Sequence, residues 1–171
     1  FMGVIAVAYT AMGGLKAVIY TDVVQWIILL AGLILIGIPL GYHAIGGMEA
    51  IRATLPEEFL KLNNIGWPTI LNWAVTIIPI WFVGMTLYQR IYATRTPREA
   101  QKAWYIAGAF EWPVMAFMGV ILGLFARVAF ENGMFAYMGF APGKMMDAEM
   151  GLPLLLRTIL PVGLMGLMMA A

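Results

Sequence analysis

"YTAMGGLKAVIYTDVVQWIILLAG", residues 9–32, places Gly13-Gly14, Lys16, Thr21-Asp22 and Gln25 between two runs apolar enough to cross a bilayer. A stretch of about 20 apolar residues spans a hydrocarbon core roughly 30 Å thick, and polar residues interrupt it where the chain leaves lipid or where they have a task. The rest of the chain has the same character. Of 171 residues, 63% are hydrophobic and 11% are charged, against roughly 25% charged residues in a soluble domain. Apolar surface on this scale faces lipid, which makes the chain an all-α integral membrane protein. The net charge of +1 provides no basic face for nucleic acid. With neither cysteine nor serine in the chain, disulfides, thiol chemistry and a serine nucleophile are excluded here. No His-Glu-x-x-His, no Cys or His cluster and no phosphate-binding glycine loop occurs, so the reading is not an enzyme.

Working outward, five apolar segments emerge at about 1–12, 22–42, 68–88, 103–126 and 154–171. They read as one membrane domain over 1–171. The chain opens inside an apolar run at Phe1 and stops at Ala171 within "VGLMGLMMAA", which leads to the expectation of a piece of a longer chain. The connection 43–67 mixes charges and is expected to hold a short helix opened by Pro56-Glu57-Glu58. The connection 89–102 carries Arg90, Arg95, Arg98 and Lys102 against Glu99. Short loops rich in Lys and Arg stay in the cytoplasm, which puts 89–102 and 13–21 inside, and 43–67 and 127–153 outside, in a multi-pass protein of the cell membrane. His43, Tyr42 and Trp67 fall at outer helix ends and suit an interfacial belt, and Met145 and Met146 read as loop residues rather than a metal site.

Three positions break the apolar pattern. In "PTILNWAVTIIPIWFVGMTLYQR", residues 68–90, Pro79 removes a backbone donor and Gly84 lowers the resistance to unwinding, so a break near 79–84 is expected. Two readings are open: a kinked structural helix, or a discontinuous helix whose freed backbone faces a solute, with Trp81 stacking on it or gating it. In "GAFEWPVM", residues 108–115, Glu111 lies roughly 12 Å into its helix, and a carboxylate at that depth faces a wet cavity or a partner. It is either half of a structural ion pair or a contact for a cationic group. Asp22, with Thr21, follows the Gly13-Gly14 turn and is expected to cap the next helix; it also serves as a carboxylate beside a cation path in a second, compatible reading.

The opening stretch then carries a resemblance. "YTAMGGLKAVIYTDVVQ" (9–25) resembles a signature of the sodium:solute symporter family, in which an apolar helix ends in Gly-Gly and the next begins Thr-Asp-x-x-Gln. "YQRIYATRTPREAQKAW" (88–104) looks like the family's Gln-Arg loop, and "LPVGLMGLMMAA" (160–171) is similar to the start of its eighth core helix. The resemblance implies a leucine-transporter-like bundle of two inverted five-helix repeats, of which the segments would be core helices four to eight. It implies sodium as coupling ion, a small organic solute as cargo, and no cofactor. On this resemblance Asp22 matches an aspartate on an intracellular sodium route, and Trp81 matches an aromatic near the substrate, beside Pro79 and Gly84 in the broken helix. On the resemblance, the family's sodium site is built from the first core helix and from hydroxyls further along the eighth, both outside this chain. Ile80 and Glu111 depart from the tyrosine and lysine of a sugar-transporting relative, which turns the expectation toward a cationic or zwitterionic solute. A symporter-like sensor module of a larger signalling protein is the alternative reading.

Overall fold

The computed structural model describes residues 2–61, 63–143 and 146–170. Phe1, Met145 and Ala171, on which expectations were placed above, lie outside the described residues. In chain order the α-helices are α1 (Met2–Ala31), α2 (Ile38–Ala44), α3 (Gly47–Thr54), α4 (Trp67–Val83), α5 (Met85–Tyr92), α6 (Pro97–Phe110), α7 (Phe117–Glu131), α8 (Gly151–Ile159) and α9 (Val162–Ala170). No strand occurs among the described residues. The chain divides into two compact units, 1–54 with 118–171, and 55–117.

In the first unit, α1, a π-helical turn at Gly32–Gly37 and α2 follow one another without a loop. Gly14 alone leaves helical dihedrals inside α1, at φ 60 and ψ −161. The expected connection at 13–21 is therefore a one-residue kink. Gly14 takes the positive φ and the chain resumes the helix at the next residue rather than looping. This corrects the capping expectation: Thr21 and Asp22 sit well inside α1, and the Thr21 hydroxyl donates to the carbonyls of Ala17 at 3.1 Å and Val18 at 2.9 Å. The kink yields a prediction. Gly14→Ala puts a Cβ on a backbone reserved for glycine and is expected to cost about 1–3 kcal/mol, read as a lower unfolding temperature of the full-length protein in detergent; no change would mean that the kink is not retained.

The buried residues of this unit come mainly from α7 (Leu122, Phe125, Val128, Phe130) and α8 (Leu154, Leu155), with Met168 from α9. Gly41 lets α2 approach, since a Cβ there would stand 3.0 Å from the Phe125 ring. Next to it the Tyr42 ring centroid lies 6.2 Å from that of Phe125, and the Tyr42 hydroxyl accepts from the Met48 amide at 3.2 Å. Helix α7 ends on a left-handed Gly133, φ 73, with Met134 N–H bonded to the Ala129 carbonyl at 2.9 Å and Gly133 N–H to that of Phe130 at 3.0 Å. That reversal folds Phe135 back into complete burial.

The expected segment at 154–171 is split. Leu160 takes an extended conformation, ψ 141, because a residue preceding proline is pushed out of the helical region, and α9 starts anew after Pro161. The short helix expected at Pro56-Glu57-Glu58 is present as a 3-10 turn, Glu57–Leu60. The amphipathic α3 was not anticipated. Among the described residues, Thr10–Ala44 and Pro97–Glu131 are each long and apolar enough to cross a membrane, and α4 with α5 forms a third candidate bent by 43°.

Candidate functional site

The site lies wholly in the second unit and begins with a proline. Helix α4 opens on Gly66 as N-cap with Pro68 in its first turn, where a missing N–H costs nothing. Pro79 lies inside α4 without ending it. The helix stops at Gly84, φ −62 and ψ 100, and α5 leaves at 43°. The break expected over 79–84 thus falls at Gly84, which takes an extended conformation.

Beyond it, the basic stretch 89–102 is mostly helical, with only Ala93–Thr96 outside α5 and α6. Two devices tighten this turn. The Thr94 hydroxyl donates to the Ile91 carbonyl at 2.7 Å, and Thr96 Oγ1 accepts from the Glu99 amide at 3.2 Å while Glu99 Oε2 accepts from the Arg95 amide at 3.2 Å. Thr-x-x-Glu is a helix-start pattern legible in the sequence, and it would have placed the start of α6 at Pro97 rather than 103.

One face of α6 carries Ala100, Ala103, Ala107 and Gly108 at helical spacing, and side chains this small leave a cleft of about 1080 Å³. Trp81, in the last turn of α4, lines it together with Trp104 and Glu111 from the α6 side and Arg90 and Thr94 from the α5 side. An apolar cleft with a few convergent polar groups is the usual form of a small-molecule site. Glu111 opens a π-helical turn, Glu111–Ala116, whose third residue, Pro113, has no N–H for the carbonyl one turn back. The wider turn sits next to the carboxylate that lines the cleft.

Of the residues singled out in the sequence, the structure brings Trp81 and Glu111 to one cleft. Pro79 and Gly84 shape the helix that carries Trp81 but do not line the cleft. Asp22 belongs to the first unit, half-buried within α1, and is not among the lining residues. Arg90, Thr94 and Trp104 were missed as site residues. For Trp104 the signal was present: it stands one and two turns before Gly108 and Glu111, hence on the same face. For Arg90 and Thr94 none was, because the basic stretch reads equally well as a solvated loop.

A chain made of apolar helices, with a solute-sized cleft beside a broken helix, has the parts of a membrane transporter. The chain belongs to the sodium:solute symporter family, whose model matches residues 1–171. Among curated proteins it is similar to the sodium/sialic acid symporter SiaT of Proteus mirabilis, 26% identical with 99% of this chain and 35% of that protein covered. It is also similar to the sodium/myo-inositol cotransporter 2 of Mus musculus, 28% identical with 99% and 29% covered, and to the sodium/mannose cotransporter SLC5A10 of Bos taurus, 26% identical with 97% and 32% covered. The chain spans about a third of the length of these relatives. No solved structure matches it significantly.

Proposed function

We propose that the protein to which this chain belongs is a sodium-coupled symporter of a small organic solute, a multi-pass protein of the cell membrane with a leucine-transporter-like bundle and this chain as part of one membrane domain. The observation that carries the reading is the meeting of Trp81 and Glu111, from two different helices, in one cleft next to the break at Gly84. Family membership supports the coupling ion. The relatives are named for sialic acid, myo-inositol and mannose, all compact polar molecules, and the cleft has the volume for a solute of that size. In this reading Trp81 packs on the apolar face of the solute, Glu111 takes a cationic group, and Pro79 and Gly84 hold the broken helix in place. Asp22 lines the path by which sodium leaves.

The test is uptake by the full-length protein in liposomes under an inward sodium gradient, with uncharged, zwitterionic and cationic solutes compared. Gradient-dependent uptake of at least one class is expected. Asp22→Asn keeps the shape of the side chain and removes its charge, and it is expected to lower sodium-driven uptake about tenfold at unchanged protein yield. Uptake that ignores the sodium gradient would overturn the coupling, and an Asp22→Asn protein with unaltered sodium dependence would leave that residue a structural role alone.

A further inference from the structure

A helix broken inside a membrane needs partners for the backbone groups it releases, because hydrocarbon supplies none. At Gly84 the carbonyls of the last turn of α4 lose the amides that a continuous helix would have offered four residues on. One of them finds a replacement from beyond the break. The Tyr88 hydroxyl donates to the Phe82 carbonyl at 2.8 Å, a spacing of six residues that only the bent chain brings into reach. The Tyr88 ring is steadied in turn by Tyr92, one turn on, with centroids 6.4 Å apart and planes inclined by 31°. On the α5 side, Gly84 itself receives the amides of Leu87 at 3.1 Å and Tyr88 at 3.4 Å. Backbone bonds therefore secure the start of α5, whereas across the break the bond to Phe82 is made by a side chain.

We propose that Tyr88 is a positioning residue: its hydroxyl latches α4 to α5 in the bent form and thereby sets where Trp81 stands in the cleft. The geometry leads there directly. Trp81 precedes Phe82 in the same last turn, while Leu87, Arg90 and Ile91 of α5 line the same cleft, so the angle between the two helices sets how far these side chains stand from Trp81. Releasing the phenol leaves the Phe82 carbonyl without its partner, which lets α4 and α5 sample other angles. The consequence for transport rests on the symporter reading above; the consequence for the helix angle does not.

The experiment uses the full-length protein in lipid nanodiscs, with native cysteines removed and spin labels on cysteines placed at Ile70 and Gln89, either side of the break. Tyr88→Phe keeps the ring and deletes the donor. Without solute, its distance distribution is expected to be roughly twice as wide as that of the protein with Tyr88, whereas Tyr92→Phe, which removes a phenol that makes no bond across the break, leaves it unchanged. In liposomes the same Tyr88→Phe protein is expected to raise KM for the transported solute about fivefold with little change in maximal rate, a split that simple loss of folded protein does not produce. An unchanged distance distribution overturns the latch whatever the transport result. A broadened distribution in a protein that shows no sodium-driven uptake keeps the latch and removes the symporter reading. If Tyr88→Phe does not accumulate, Tyr88→Met, which likewise lacks the donor, is read by the same labels: a broadened distribution supports the latch, and an unchanged one overturns it.

Discussion

Glu111→Gln, in the full-length protein reconstituted in liposomes, is expected to weaken uptake of a cationic or zwitterionic solute about 10- to 100-fold while leaving protein yield nearly unchanged. The size of the effect follows from the surroundings of the residue. Glu111 lines a cleft whose other walls are mostly aromatic and small apolar side chains. A ligand ammonium about 4 Å from its carboxylate gains roughly 4 kcal/mol at an effective dielectric near 20, and desolvation of both groups takes back part of this. Glutamine preserves the volume and one acceptor, so what is lost is charge rather than packing. Uptake of an uncharged solute through the same protein should change far less. If instead the yield collapses and the surviving molecules transport with unaltered affinity, Glu111 is a structural ion-pair partner and the preference for a cationic group falls. Arg90 lines the same cleft and gives that outcome a physical basis.

Phe135→Ala should produce the largest loss of stability among single truncations. Phe135 is 0% exposed although it belongs to the segment after α7 rather than to a helix. It is held by backbone as well as by packing: its carbonyl accepts from Met138 N–H at 3.0 Å and Phe140 N–H at 3.2 Å. A turn secured in this way cannot collapse easily into the space left behind. Phenylalanine-to-alanine changes at enclosed sites cost about 3–5 kcal/mol, and the upper part of that range is expected here. Denaturant unfolding of the full-length protein in mild detergent measures it, with Phe135→Leu as a milder comparison. A loss below about 1 kcal/mol would show that the ring is not enclosed.

The amino-acid sequence by itself determined the class of the protein, because 63% hydrophobic residues cannot be placed in water. It also placed the broken helix within 79–84, although Pro79 stays inside α4 and the break falls at Gly84. The family was legible because its motifs are contiguous. Other features were decided by the tertiary structure. Gly13-Gly14 reads as a turn, yet only Gly14 leaves helical dihedrals and the helix continues on either side of it, so Thr21 bonds backward to Ala17 and Val18 instead of capping. Leu160-Pro161 lies in a run apolar enough to read as one segment, and only the backbone shows it divided. The cleft itself required α4, α5 and α6 together, which brings Glu111 and Trp81 to one lining across a sequence separation that no local pattern encodes, and adds Arg90, otherwise one more basic residue of a polar stretch, to the same cleft.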